Sequence, residues 1–197
     1  MAPTDNSLPP ERPGMHPTIA HIALEANGVL EDPMDRWELT DEVVDLLSDF
    51  AAKYRDSYDY LTANLESWAL EGYPNFDVSH TSDSSIGAPI GERLRRKLGP
   101  QRPWMCEAKT GIEGKNKKEW RLYFTDITHK EGEPYYMFFG AHFTEKRTKN
   151  KRGKPLAEKT VQKMQDSDIK EAATKIVQLT KDDNRDYRLA SELDTPE

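Results

Sequence analysis

The sequence predicts an α+β fold: a small antiparallel sheet of three to four strands, with two N-terminal helices and a C-terminal helix packed on one face. Three observations carry this. Apolar residues recur at helical spacing between about 41 and 71, then alternate in three short aromatic-rich segments between 104 and 143, and a helical stripe returns after Pro155.

Each element has its own signal. Arg36-Trp37-Glu38-Leu39 alternates as a short strand. Thr40-Asp41-Glu42 supplies a hydroxyl cap and two first-turn acids, so a helix begins there. Val43, Leu47, Phe50 and Tyr54 form its stripe. Tyr58, Leu61, Leu65, Trp68 and Ala69 repeat the pattern until Gly72-Tyr73-Pro74, with a join near residues 53–56. A polar loop from 75 to 90 follows. The segments 104–109, 119–125 and 135–143 then read as a three-stranded meander, separated by turns at 111–118 and 129–134. Trp104 and Trp120 are assigned to the core. After the basic loop 146–154, Pro155 suits the first turn of a last helix, with Val161, Met164, Ile169, Ala172, Ala173 and Ile176 on its buried side and a potential break at Asp166-Ser167-Asp168. The run 18–24 fits a strand or a helical turn equally well.

The organisation expected is a flexible N-terminal extension over 1–35, a folded unit over 36–178 and an acidic disordered tail over 179–197. One cysteine in 197 residues, Cys106, excludes an internal disulfide and a cysteine-rich zinc module. No apolar run approaches the roughly 20 residues that cross a bilayer, and no signal peptide is apparent. A soluble, cytoplasmic protein is therefore expected, with no membrane partner.

The net charge of −7 is unevenly spread. Residues 1–85 carry 4 basic and 17 acidic side chains, residues 86–163 carry 19 and 9, and residues 164–197 carry 5 and 9. A ligand meets the local field within about 8–10 Å, so the middle segment behaves as a cationic surface inside an acidic chain. Either acidic end could fold over that surface and imitate phosphate.

The element order, with several local patterns, resembles the RelE/HigB superfamily of bacterial and phage-borne toxins over roughly residues 36–178. The similar stretches are Leu94-Arg95-Arg96-Lys97-Leu98 before Pro103-Trp104-Met105-Cys106-Glu107-Ala108, then Glu119-Trp120-Arg121-Leu122-Tyr123-Phe124, and Phe138-Phe139-Gly140-Ala141-His142-Phe143-Thr144-Glu145-Lys146. In the last, the histidine stands one position away from its place in the family pattern. The basic loop is also longer, by Lys151-Arg152-Gly153-Lys154.

The resemblance implies a metal-independent endoribonuclease without cofactor. Such an enzyme cuts mRNA on the ribosome by 2′-hydroxyl attack on the adjacent phosphate, and a cognate antitoxin, commonly of helix-turn-helix type, restrains it. That chemistry needs a base, an acid and fixed positive charge. Arg121 is the first candidate for the charge, since a guanidinium pairs with two phosphate oxygens. Strand alternation points Arg121 and Tyr123 together, away from Trp120, Leu122 and Phe124. His142 is the candidate acid or base. Arg147 and Tyr123 complete the catalytic set, and Tyr136 is an alternative proton donor or stacking surface. Lys117, Lys118, Lys146, Lys149, Lys151 and Arg152 are the expected RNA-binding residues, with Lys115 and Lys154 beside them. His80 with Ser82, Asp83 and Ser84 is read as loop chemistry rather than a triad. Two competing readings stand beside the toxin: the same fold binding RNA, ribosome or partner without cutting, and a DNA-associated accessory protein.

Overall fold

The computed structural model of the chain describes residues 33–71, 86–87, 102–110, 119–128 and 137–189. The run 18–24, the His80 region, Lys115, Lys117, Lys118, Tyr136 and the last eight residues lie outside them. After a 3-10 turn at Pro33–Arg36, the order is β1 (Trp37–Leu39), α1 (Asp41–Lys53), α2 (Arg55–Glu71), β2 (Ile86–Gly87), β3 (Cys106–Lys109), β4 (Trp120–Ile127), β5 (Met137–Glu145) and α3 (Glu158–Asp182). The fold is α+β, as expected. None of the helices described is long and apolar enough to cross a membrane.

The helices start and stop where the sequence dictates. Thr40 Oγ1 accepts from the Val43 amide at 3.3 Å, which caps α1. Only Tyr54 separates α1 from α2. At the far end of α2, the buried Arg36 donates to the Ala69 carbonyl, and Trp37 Nε1 donates to that of Leu65. These bonds satisfy carbonyls of the last turns of α2 and tie β1 to it.

The meander β3-β4-β5 is antiparallel, but the whole sheet is mixed and larger than expected, with order β1-β5-β4-β3-β2. Trp37 pairs with Phe138 in the parallel sense, and the expected 75–90 loop contributes the two-residue edge strand β2, which pairs with β3. The helices also differ from the single-sided arrangement. Val43, Leu47 and Phe50 of α1 and Leu61, Leu65 and Trp68 of α2 pack with Leu122, Phe124, Phe138 and Phe143. Ile169, Ala172, Ala173 and Ile176 of α3 pack on the other face, against Tyr123, Ile127, Phe139 and Ala141. The cause is that β4 and β5 are apolar on both sides, so each side needs its own covering layer. Trp104 and Trp120 join the first core, as expected.

Two departures follow from charge. The last helix runs unbroken through Asp166-Ser167-Asp168 to Asp182. Beyond it, residues 183–189 are folded rather than a tail. Asn184 adopts a left-handed turn (φ 53°), Arg185 pairs with Glu38 of β1, and Arg188 Nε reaches Asp126 Oδ2 at 2.7 Å. Asp126 is fully buried, and a buried carboxylate demands a cation; Arg188 brings the chain end in to provide it. This segment docks beside Thr128 and Ile127, at the opposite end of β4 from the basic loop, so the described part of the acidic end does not cover that loop.

Candidate functional site

Strand alternation does put Arg121 and Tyr123 on one face, the face covered by α3. There Arg121 is 5 % exposed and surrounded by carboxylates. Its Nη1 donates to Glu107 Oε2 at 2.5 Å, and Nε and Nη2 donate to Glu119 Oε1 at 2.8 and 2.6 Å. Gln165 of α3 closes over the group by donating to the same Glu107 oxygen at 3.1 Å, while Lys146 approaches Glu119 at 3.6 Å. Burial works against ionising Glu119. The Arg121 charge and hydrogen bonds, with Lys146 and Lys109 behind them, outweigh it and hold the carboxyl below its usual range. An arginine so paired has its charge balanced by two carboxylates and three of its five N–H donors spent, and α3 lies between it and solvent. This corrects the expected phosphate contact: Arg121 ties β3, β4 and α3 together.

Tyr123 is corrected likewise. It is 1 % exposed, and burial, then the nearby Glu107 charge, raises its phenol well above the ordinary range. It keeps its proton at any physiological pH and touches no solvent.

His142 arrives on the same face through a bulge. Tyr123 pairs with His142, but Phe124 pairs with Gly140, leaving Ala141 as the extra residue. Under strict alternation from Phe138 and Gly140, His142 would face the α1 and α2 core and Phe143 the α3 side. Instead the His142 ring stacks on Tyr123 at 6.3 Å between centroids, and its Nδ1 lies 3.5 Å from Glu171 Oε1 of α3. Because β1 ends opposite Gly140, β5 has no strand on that side from Ala141 onward among the described residues, while β4 continues on the other. Side chains gather at that edge: Lys175 Nζ bridges Glu42 Oε2 of α1 at 2.5 Å and Glu171 Oε1 at 3.2 Å. One turn back on α3, Asp168 pairs with Arg147 at 3.6 Å, and burial raises its carboxyl despite the Arg147 and His142 charges. Glu42, His142 and Glu171 present ligand atoms within 4.8 Å of one another.

Beyond β5, the basic loop is a compact hairpin. Asn150 Oδ1 accepts from the Arg152 and Lys154 amides at 2.9 and 3.0 Å, its own amide donates to the Lys154 carbonyl, and Gly153 turns with φ 75°. Lys149 pairs with Pro155 across the stem. The fold thus displays Lys149, Lys151, Arg152 and Lys154 outward, all exposed, with Lys159 and Lys163 following on α3. Between 146 and 163 there are 8 basic side chains and 1 acidic one, so the tip carries concentrated positive charge.

The structure therefore brings His142 and Arg147 together around Asp168 at the rim and buries Arg121 and Tyr123 beneath. Lys146, Lys149, Lys151 and Arg152 share the hairpin; Lys117 and Lys118 are outside the described residues. The residues that sequence reasoning missed are Glu107, Gln165, Asp168, Glu171 and Lys175. The last three had a signal, since positions 168, 171 and 175 lie on one helical face at i, i+3 and i+7. No protein-family model matches the chain, and no curated protein and no solved structure matches it either.

Proposed function

We propose that this chain binds RNA through the phosphate backbone, gripping it with the 146–154 hairpin and the first turns of α3, and does not cut it. The observation that carries the reading is the Asn150-organised hairpin, which holds four exposed cations at fixed spacing while Arg121, the first candidate for stabilising a phosphorane-like transition state, is buried against Glu107 and Glu119. Cations held by a folded turn lose less entropy on binding than the same residues in a loose chain. The choice of RNA over duplex DNA rests on the resemblance to RelE/HigB toxins.

Fluorescence anisotropy with a single-stranded RNA, titrated with salt, tests it. Four phosphate contacts give a slope of log K against log[salt] of about −3. Reversing Lys151 and Arg152 to Glu should abolish binding at moderate salt with the melting temperature unchanged. Tighter binding to duplex DNA, or none to either, refutes the proposal.

A second reading is favoured by the placement of both His142 and Arg147 near Asp168 at the rim. On it, the chain is a message-cutting toxin acting at the ribosome, with His142 moving the proton, Arg147 holding the phosphate and an antitoxin as partner. Growth arrest on induction, with RNA cleavage that disappears in His142→Ala and Arg147→Ala, supports this reading over the first. Intact RNA after incubation with ribosomes and message sinks it.

A further inference from the structure

At the open edge of β5, beyond the end of β1, the buried His142 carries a ring nitrogen that none of the described residues satisfies. The residue is 9 % exposed, and its Nδ1 has no hydrogen bond. Buried polar atoms without partners are rare enough to need a cause. Glu171 Oε1 stands 3.5 Å from Nδ1, and Glu42 completes a trio of ligand atoms within 4.8 Å.

We propose that Glu42, His142 and Glu171 form a binding site for a first-row divalent transition cation, zinc foremost, and that Lys175 keeps it closed. The separation of 3.5 Å is long for a hydrogen bond, yet it matches the edge of a coordination tetrahedron. Two bonds of about 2.0–2.1 Å at the tetrahedral angle place their donor atoms roughly 3.3–3.4 Å apart. Imidazole with two carboxylates is a donor set that zinc accepts, with water as a fourth ligand. Two carboxylates and a neutral imidazole balance a dication.

Lys175 is the second sign that these oxygens are arranged about a positive centre. Its ammonium sits on both Glu42 and Glu171, where a metal would bind, yet leaves Nδ1 unpartnered. It reaches in from the next turn of α3 on a flexible stem, about a quarter exposed, so it can swing outward without moving the backbone. While it stays, a bound dication faces an adjacent like charge. Arg147, held by Asp168 one turn away, adds to that opposition.

Isothermal titration of the full chain, first stripped with a chelator, with Zn²⁺ alone tests this, alongside Co²⁺ absorption as a report of four-coordinate geometry. One equivalent should bind and stabilise the fold against heat. Affinity should fall at least about tenfold in His142→Ala and in Glu171→Gln, and rise about tenfold in Lys175→Met, which keeps the stem and removes the charge. Glu171→Gln preserves shape and guards against a folding defect in His142→Ala. Binding undiminished in both, which would assign the metal to His16, His21, His80 or His129, overturns the site. Absence of binding even in Lys175→Met overturns it as well, and equal affinity of wild type and Lys175→Met removes the lysine from its role.

Discussion

Arg121 and Glu107 meet at 2.5 Å across β3 and β4 as diagonal neighbours, because Arg121 pairs with Lys109 and Glu107 with Tyr123. The contact is buried on both sides, and Glu119 and Gln165 complete it. Removing one member of such a group leaves charge without compensation. Arg121→Ala is therefore expected to destabilise the protein by about 3–5 kcal/mol, measured by urea unfolding. Adding Glu107→Gln should restore part of that loss, since the pair is coupled. An Arg121→Ala protein of unchanged stability would show that the cluster is not what joins α3 to the sheet.

Acid should act through the carboxylates held low. Glu119 is depressed chiefly by Arg121 against the opposing effect of burial, and Glu42 is depressed first by its hydrogen bond from Lys175. A carboxyl lowered in the folded state contributes stability that is complete above its unfolded value near 4.5 and disappears as pH falls through the folded value. Asp168 is raised, so its protonation offsets part of that loss. The melting temperature is expected to hold from pH 7 to about 5 and to fall below 4.5, less steeply in Glu119→Gln. A melting temperature constant down to pH 3 would contradict this assignment.

Gly140 is required by its neighbours. A Cβ there would stand 2.6 Å from Leu39 Cδ2 and 3.1 Å from Leu122 Cδ1, at the place where β1 ends against β5. Both obstacles are ends of side chains, but Leu122 is fully buried and has little room to turn. Gly140→Ala should cost about 1–3 kcal/mol. Combined with Leu39→Ala, which clears the closer atom, it should cost less than the two single losses added together; strict additivity in the cycle would argue against the clash.

Cys106 is buried and its thiol is pushed well up, first by burial and then by the Glu107 charge. The native protein should resist thiol reagents, and labelling should follow global unfolding. As the chain's one cysteine it offers a clean readout, and rapid labelling under native conditions would mean that β3 opens locally.

Asn150 separates charge from shape in the hairpin. Asn150→Ala removes the acceptor of the Arg152 and Lys154 amides without altering a single charge. RNA affinity should drop several-fold while the melting temperature stays put. If affinity is unaffected, net charge alone drives binding and the turn geometry is incidental.

Much of this architecture could be read from local chemistry. The cap at Thr40, the stripes of α1 and α2, and the alternation in β4 all follow from neighbours within a few positions, where periodicity carries information. What escaped were relationships between distant residues. Nothing near Arg121 announces that Glu107, fourteen positions earlier, and Gln165, forty-four later, converge on it. The bulge at Ala141 likewise depends on the partner strand, and it alone decides that His142 faces α3. The docking of 183–189 escaped for the same reason: its polar composition suggests a loose tail, while the buried Asp126 that draws in Arg188 lies sixty-two positions away. Polar residues are poor reporters of burial when their counter-charge is remote.

The parallel pairing of Trp37 with Phe138 spans about a hundred positions of chain, and among the described strands β5 is the one that lies beside β1. On a translating ribosome, Trp37 and the two helices emerge long before β5 exists. Their apolar stripes wait for a surface to cover, and at roughly 5–20 residues per second the wait lasts about 5 to 20 seconds. Throughout it, Phe50, Leu61 and Trp68 are bare, and a chaperone or a neighbouring nascent chain can reach them. Synthesis rate through residues 72–137 should thus influence yield more than any single contact in the finished fold.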